Sequence, residues 1–210
     1  MNPKLKSALE WIYCIIIAII IALAVKYFVG TPTIVRQTSM DKTLKEGERL
    51  WLNRWVRTIN GEYEFGDIVT FEAPSTTYPS FYEINFDYPV AKYEYEPEGI
   101  WNKFVYYVLE TGKTSYIKRV IGVEGDHIKI EAGKVYRNGE ELQEKYLQEG
   151  IITEGKTYSD IVVPEDCLFV MGDNREHSTD SRDFGCIPIE KIESRVAFRF
   201  WPLNKFGKIE

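Results

Sequence analysis

Apolar and polar residues are distributed along this chain in two distinct ways, first as one long apolar stretch and then as short alternating segments. Residues 11–25 contain no charged side chain, and the apolar stretch continues to Val29 if Lys26 extends its amine toward water. That stretch of roughly 19 residues, or about 28 Å of α-helix, is long enough to cross a lipid bilayer. We therefore predict one N-terminal transmembrane helix.

The apolar stretch has a second interpretation as a cleaved secretory signal. Lys4 and Lys6 precede it, and residues 22–24 match the small-residue cleavage pattern. However, the stretch is longer than a typical signal core, and it ends in the interfacial aromatic pair Tyr27 and Phe28. An uncleaved membrane anchor is the preferred prediction.

The lysines around the anchor indicate its orientation. Lys4 and Lys6 precede the span and Lys26 lies at its far end, which favours a cytoplasmic N-terminus. We therefore predict a cytoplasmic N-terminus and transmembrane anchor in residues 1–30, followed by an extracytoplasmic domain in residues 31–210.

Short segments with strand character dominate the rest of the chain. They are residues 33–35, 49–56, 67–71, 116–123, 128–130, 135–136, 168–171 and 195–200. Asn138-Gly139 is a typical two-residue hairpin turn. No long amphipathic helix is visible outside the anchor, although residues 140–145 could hold one turn of helix. We predict a mainly β fold, an antiparallel β-sheet domain, with residues 127–165 as a smaller β insert.

Residues 78–107 form an aromatic-rich insertion. The segment holds over a third of the aromatic residues of the chain, together with five acidic side chains. An apolar core alone does not explain that mixture. The segment is either an ordinary packed subdomain or an excursion that faces a substrate or a membrane.

Charge and cysteine content narrow the classes of function. The net charge is −6, and because residues 1–30 hold three lysines and one glutamate, the remainder carries −8. Such an acidic domain is a poor partner for nucleic acid. Cys14 lies in the anchor, whereas Cys167 and Cys186 lie in apolar runs, which favours two buried thiols over a disulfide.

Residues 172–185 form a dense polar run between two apolar segments. An ordinary turn needs only the opening Gly-Asp-Asn, so the arginines, serines and aspartates that follow exceed its requirements. His177 lies in this run and could form a serine, histidine and aspartate triad with Asp173 or Asp180. The other histidine, His127, opens a strand.

Ser39 is the candidate nucleophile, and a lysine is the alternative base to histidine. Strand alternation in residues 116–121 places Lys118 on one face and Arg119 on the other. Burial of Lys118 would lower the pKa of its amine toward neutrality and allow it to accept a proton. The ordinary alternative is a solvated basic pair.

Ser39 is also the first residue of an S-x-x-K pattern that ends at Lys42, as in penicillin-binding enzymes. The Lys-Thr-Gly and Ser-Asp-Asn elements of those enzymes are missing from this chain. We therefore set that match aside.

Three segments together resemble bacterial type I signal peptidases, namely residues 39–44, 116–126 and 172–182. Their order and spacing, the anchor and residues 199–204 are also similar to the single-span members of that family, whereas residues 78–107 have no counterpart. The resemblance implies the β fold of signal peptidase I and the Ser-Lys repressors. It also implies a membrane-bound serine endopeptidase that cleaves signal peptides from exported preproteins after small residues.

The resemblance also implies roles for particular residues, and it implies no cofactor and no metal. Ser39 would be the nucleophile, with its backbone N–H as an oxyanion donor, and Lys118 would be the general base. Ser178 would hydrogen-bond and orient Lys118. Asp180 and Arg182 would form a supporting ion pair.

Several positions near these residues need separate treatment. Gln37 stands where some relatives carry a hydroxyl residue as a second oxyanion donor, and its amide could substitute. Lys42 and Glu124 each replace a proline of the family, and Lys42 could compete as base. Asp173 and Arg175 are expected to shape the polar turn.

Two other functions stay open. A self-cleaving Ser/Lys repressor would require a DNA-binding region in place of the anchor. An inactive or specialised paralogue would act as a membrane-anchored binding protein for a restricted set such as pilins. The expected partners are otherwise signal-peptide-bearing preproteins and the lipid bilayer, without nucleic acid, and the sequence is silent on oligomeric state.

Overall fold

The computed structural model describes residues 3–148 and 150–209, so the outermost residues of the predicted ranges 1–30 and 31–210 lie outside the described residues. Helix α1 spans Pro3–Ala24 and continues as a π-helical stretch over Val25–Val29. The 24 residues Lys6–Val29 are apolar enough and long enough to cross a membrane, and none of that window is buried. An exposed apolar helix agrees with the predicted anchor.

The described part of the chain beyond α1 folds mainly into β-strands. They are β1 (Gly30–Ile34), β2 (Arg49–Asn53), β3 (Ile68–Glu72), β4 (Ser115–Val123), β5 (His127–Glu131), β6 (Lys134–Arg137), β7 (Glu140–Glu141), β8 (Asp160–Val162), β9 (Cys167–Met171), β10 (Ile187–Pro188) and β11 (Ile192–Trp201). Seven of them form the main sheet in the order β1-β2-β11-β3-β4-β9-β10. Every pairing is antiparallel, which confirms the predicted fold class.

The remaining strands form a small separate sheet in the order β7-β6-β5-β8. Asn138 and Gly139 join β6 to β7 with φ values of 54° and 83°, the left-handed backbone that this hairpin turn requires. The turn sends the chain straight back to pair with β6, so Glu140–Glu141 are a strand. The turn of helix predicted at residues 140–145 is therefore wrong.

Short helices fill the connections. The α-helices are α2 (Trp55–Thr58), α3 (Gly99–Lys103) and α4 (Ser181–Phe184), and the 3₁₀ turns are Phe81–Glu83, Arg175–His177, Ile189–Lys191 and Leu203–Lys205. The strand predicted over residues 49–56 ends at Asn53 because α2 begins there. Helix α3 continues as a π-helical stretch over Phe104–Leu109, a helix in the insertion that the sequence did not predict.

The main sheet is buried on both faces near its centre. In β9, Leu168 and Val170 face one apolar cluster, whereas Phe169 and Met171 face another. Alternation sends successive side chains to opposite faces, so a strand that is buried on both sides is apolar throughout. Cys167 and Cys186 are buried free thiols, as the sequence predicted.

Candidate active site

Ser39 lies in a tight turn that follows β1. The carbonyl oxygen of Thr38 accepts a hydrogen bond from the Asp41 N–H, and that of Met40 accepts one from the Leu44 N–H. Met40 and Leu44 are completely buried, so they fix the turn to the core from within. The serine itself is 8% exposed, which leaves it close to the surface but rigidly placed.

Lys118 lies in the middle of β4 and is 2% exposed. Its register partner on β3 is Val69. The amine Nζ is 2.5 Å from the Ser39 Oγ and donates a hydrogen bond to it. The fold thus brings together two residues that are far apart in the sequence, at the separation that direct proton transfer requires.

The surroundings of Lys118 lower the pKa of its amine. Burial is the largest cause and lowers the pKa to about 8, against the opposing effect of the Asp180 and Asp173 carboxylates, which favour the ammonium form. A lysine of this pKa is partly neutral near physiological pH, unlike an ordinary solvated lysine. The side chain can therefore accept the Ser39 proton.

The polar run forms a loop, residues 172–185, that begins where β9 ends. Asp180 and Arg182 are both fully buried and form a bidentate ion pair, with Nε–Oδ1 and Nη2–Oδ2 distances of 2.8 and 2.9 Å. The Gly172 N–H also donates to the Asp180 carboxylate at 3.0 Å. Burial by itself would raise the pKa of Asp180, but the Arg182 guanidinium holds it below its ordinary value.

Gly172 brings this loop against the nucleophile. A Cβ atom at this position would lie 2.2 Å from the Ser178 Oγ and 2.5 Å from the Ser39 carbonyl oxygen, so only glycine fits. Two residues on, the Asn174 main chain donates to that same carbonyl at 2.9 Å, and its side chain donates to the Thr38 carbonyl at 3.1 Å. The loop therefore positions Ser39 through its main chain.

Ser178 lies where Gly172 packs against Ser39, and it is 4% exposed. Its hydroxyl makes no hydrogen bond of normal geometry within the described residues, so the predicted bond to Lys118 is not formed. The hydroxyl packs against Gly172, close enough to Asp180 to help lower the pKa of that carboxyl, while the Lys118 amine is committed to Ser39. The orienting role of Ser178 stays a prediction.

A second buried ion pair was not foreseen from the sequence. Arg119 follows Lys118 and donates through Nε and Nη2 to Asp173, at 3.0 and 2.8 Å. The hydroxyl of Thr43, in the Ser39 turn, donates to the same carboxylate at 2.5 Å. This pair joins β4, the polar loop and the nucleophile turn. The sequence signal for this pair is the two adjacent basic residues of β4, of which only Lys118 is predicted to belong to the site.

Arg175 connects the polar loop to the small-sheet region. Its guanidinium is buried, forms an ion pair with Glu144 and donates to the Thr153 hydroxyl at 2.7 Å. Its Nε donates to the Gly172 carbonyl at 3.2 Å. Arg175 thus joins the polar loop to the region of the small sheet, in agreement with its expected role in shaping the turn.

The other candidate bases lie elsewhere. His177 is exposed, and the aspartates proposed for its triad are paired with Arg119 and Arg182. His127 contacts Asp160 on the small sheet, 2.6 Å away. A Ser/His/Asp triad is therefore not assembled.

Three departures from the family pattern have clear contacts. The Lys42 amine donates to the Gln148 side chain at 2.9 Å rather than to Ser39. Glu124 accepts a hydrogen bond from the Asp166 N–H at 3.0 Å. The Gln37 amide donates to the Ser115 carbonyl at 3.2 Å, so in this conformation it caps β4, and its oxyanion role stays a prediction.

A groove of about 710 Å³ reaches Gln37 and Ile117, which lie close in sequence to Ser39 and Lys118. Residues 31–37 form one wall and residues 113–117 form the other. Both walls have a free strand edge: β1 is the first strand of the sheet, and β4 pairs with β9 only from Arg119 onward. An extended peptide between these edges would complete the hydrogen bonding of both. Within the described residues no cluster of three or more metal-ligating side chains occurs.

Comparison with known proteins agrees with this arrangement. Residues 8–201 match the signal peptidase, peptidase S26 family. The signal peptidase I of Bacillus licheniformis is 32% identical and the alignment covers 99% of this chain and 96% of that protein. The signal peptidase IB of Staphylococcus aureus strain COL is 34% identical, with 96% and 93% covered.

A solved structure is also similar, that of a signal peptidase I from Enterococcus faecalis V583. It is 21% identical, covers 64% of this chain and 96% of that chain, and has a TM-score of 0.41. The family match by sequence is far more extensive and includes every segment that builds the contact between Ser39 and Lys118. The chain therefore belongs to the signal peptidase family of serine peptidases, peptidase S26.

Proposed function

We propose that this enzyme removes N-terminal signal peptides from exported preproteins, with Ser39 as nucleophile and Lys118 as general base. The observation that carries the proposal is the 2.5 Å contact between the Lys118 Nζ and the Ser39 Oγ at a buried site. A serine hydroxyl is a weak nucleophile unless an adjacent base removes its proton. Lys118 is the base that the fold supplies.

The reaction proceeds in two halves. Neutral Lys118 takes the proton from the Ser39 hydroxyl while Oγ attacks the scissile carbonyl carbon, and the resulting ammonium gives that proton to the departing amine. An ester between Ser39 and the signal peptide remains. Lys118 then takes a proton from water, which attacks the ester, and returns the proton to Oγ as the signal peptide leaves.

The negative charge on the carbonyl oxygen needs a donor. The main-chain N–H of Ser39 has no hydrogen-bond acceptor among the described residues, so it is free for this purpose. Such a donor contributes roughly 3 to 4 kcal/mol to transition-state stabilisation in hydrolases. Gln37 would become a second donor only after its amide leaves the Ser115 carbonyl.

The groove supplies the substrate site. A peptide bound between β1 and β4 in extended form directs alternate side chains toward the wall of the groove. Small residues at the first and third positions before the scissile bond fit this arrangement. The polar loop supports the dyad: Asp180 and Arg182 fix the Gly172 main chain, which in turn packs against Ser39.

The membrane arrangement follows from the anchor. We infer that α1 crosses the cell membrane with its N-terminus in the cytoplasm, so that the catalytic domain lies outside, where exported preproteins emerge. The basic residues that precede the span support this orientation. Protease treatment of intact spheroplasts should digest the domain, whereas protection of the domain would reverse the orientation.

A peptide assay tests the dyad. The full chain in detergent micelles is incubated with a peptide that contains one Ala-x-Ala site, and the products are identified by mass spectrometry. We expect one cut after the second alanine, abolished in Ser39→Ala and Lys118→Ala and largely retained in Lys42→Ala. Retained cleavage in Lys118→Ala would exclude Lys118 as base, and no cleavage by the parent chain would favour a binding protein.

A further inference from the structure

The aromatic insertion ends in a helix that carries its apolar side chains outward. Ile100 is 91% exposed and Trp101 is 71% exposed, and Phe104 stacks on Trp101 with ring centroids 5.8 Å apart. These three residues occupy positions i, i+1 and i+4, so they lie on one face of the helix. We call Ile100, Trp101 and Phe104 the apolar face.

Polar contacts hold the C-terminal part of this helix to the main sheet. The Tyr106 hydroxyl donates to the Glu72 carboxylate at 2.8 Å. The Lys113 amine lies 5.2 and 5.4 Å from the ring centres of Tyr106 and Tyr107 and forms ion pairs with Glu72 and Glu193. The helix is thus held to the domain by polar contacts, whereas Ile100 and Trp101 are left largely uncovered by the described part of the chain.

The end of the same helix contacts the outer end of the anchor. The Lys26 amine donates to the Val108 carbonyl at 3.1 Å and forms an ion pair with Glu110 at the same distance. Arg54, which is 3% exposed, forms an ion pair with the other oxygen of Glu110. The helix is therefore fixed to the residue at which the apolar span ends.

Helix α2 holds the end of the anchor independently. Its Arg57 donates to the Tyr27 carbonyl at 2.8 Å and its guanidinium lies 4.8 Å from the centre of the Tyr27 ring. Thr58 donates to the Phe28 carbonyl at 3.0 Å. The catalytic domain thus grips the anchor through several contacts, which sets the depth of everything attached to it.

We propose that the apolar face is a second membrane contact, which inserts into the outer interface of the bilayer beside the anchor. Lys26 marks the depth at which the hydrocarbon region ends, and the helix attached to it lies at the level where tryptophan side chains are enriched. Helices that carry Trp, Phe and Ile on one face bind there with that face toward the acyl chains. Two attachment points would restrict the tilt of the catalytic domain and so fix the distance of Ser39 from the membrane.

The proposal rests on the anchor lying in a bilayer, but not on the catalytic roles of Ser39 and Lys118. The other occupants of the apolar face would be a second copy of this chain or another protein. Continuity with the anchor favours lipid, because a protein partner would have to enter the same interface.

Site-specific labelling tests lipid contact without any activity measurement. An environment-sensitive fluorophore is attached at Ile100→Cys in the full chain carrying Cys14→Ala, reconstituted in phosphatidylcholine and phosphatidylglycerol vesicles. Burial raises the pKa of Cys167 to about 11, and it raises the pKa of Cys186 as well, so these buried thiols stay unlabelled. The matched control is Ile152→Cys, since Ile152 is 64% exposed and belongs to the segment beside the small sheet.

We expect the label at position 100 to emit at shorter wavelength in vesicles and to be quenched several-fold more strongly by nitroxide-labelled lipids than the label at position 152. Equal quenching at the two positions would overturn the proposal. Energy transfer between labels on different copies at high lipid dilution would also overturn it and would assign the face to a second copy. Loss of peptide cleavage in any of these variants would concern the proposed function alone.

Discussion

The loop at residues 172–185 and the apolar face of the insertion both depart from the usual distribution of side chains, in which charged groups are exposed and large apolar groups are buried. The loop buries charged groups, whereas the insertion exposes apolar ones. In the loop, Asp180 and Arg182 are completely buried charges. In the insertion, Ile100 and Trp101 are largely exposed apolar groups. Both arrangements are costly in an ordinary soluble domain, one through desolvation and the other through hydration of apolar surface.

The two regions differ in how this cost in free energy is compensated. Each buried carboxylate of the loop has a cationic partner, which is an arginine for Asp173 and Asp180 and a lysine for Asp183. Lys118 differs, because its amine contacts a hydroxyl rather than a carboxylate, and burial lowers the pKa of that amine. The apolar face has no compensation within the described chain, which indicates that its environment is not water alone.

The largest expected effect on stability comes from breaking the buried ion pair between Asp180 and Arg182. Arg182→Met should destabilise the domain by about 3 to 5 kcal/mol, because it leaves the Asp180 carboxylate buried and unpaired. Thermal unfolding in detergent measures this loss. The control is Lys134→Met, since the pair of Lys134 with Glu141 is exposed and should contribute almost nothing. Equal stability of the two variants would mean that the loop does not depend on its ion pair.

Replacement of Lys118, the proposed base, should change the stability of the domain in the opposite direction. The shift of the Lys118 pKa from 10.5 to about 8 corresponds to about 3 kcal/mol of lost stability while the amine is charged. That stability is present above pH 10.5, where both states are neutral, and is lost as the pH falls to 8. Lys118→Met should therefore be more stable than the parent at pH 7.

Unfolding measured at several pH values separates this effect from simple repacking. The advantage of Lys118→Met should shrink between pH 8 and pH 10.5, the window set by the pKa shift. An advantage that is constant across this window would show that the amine is not the source of the lost stability.

The rate of peptide cleavage should depend on the protonation state of the Lys118 amine. Since only neutral Lys118 accepts the Ser39 proton, kcat/KM should rise about tenfold per pH unit at low pH and level off above the Lys118 pKa of about 8. Peptide cleavage measured from pH 6 to pH 10 tests this. A rate that is independent of pH across this range would remove Lys118 from the role of base.

The smallest effect is expected at the apolar face. In detergent, Trp101→Ser should change stability by less than about 0.5 kcal/mol and leave peptide cleavage unchanged, because the side chain packs on little besides Phe104. A large loss of stability would instead show that Trp101 belongs to the folded core, and the contrast between the two regions would then disappear.

Much of the candidate site could be predicted from the sequence. Ser39 and Lys118 belong to short segments whose order carried the resemblance, and the three aspartates and two arginines of the polar run indicated more than an ordinary turn. The strands around them followed from alternation and from turn residues such as Asn138 and Gly139. Local patterns of this kind depend on nearest neighbours, which the sequence contains.

Other parts could not be predicted from local patterns. The pairing of Arg119 with Asp173 joins two segments that pack together only in the folded sheet. Ser178 was expected to bond to Lys118, but its hydroxyl lies against Gly172 instead. The helix in residues 99–109 was missed because its outward face is apolar, the reverse of the pattern by which a surface helix is recognised.

The sequence by itself determined the apolar N-terminal helix and the antiparallel β class, and it predicted Ser39 and Lys118 as nucleophile and base, because these depend on residue type and local order. The tertiary structure alone decided that the Lys118 amine is buried 2.5 Å from Ser39, that Asp173 and Asp180 are paired with arginines, and that the helix of the insertion contacts Lys26 at the end of the anchor. Desolvation, ion pairing and depth in a membrane are properties of three-dimensional surroundings. No segment of the chain carries them alone.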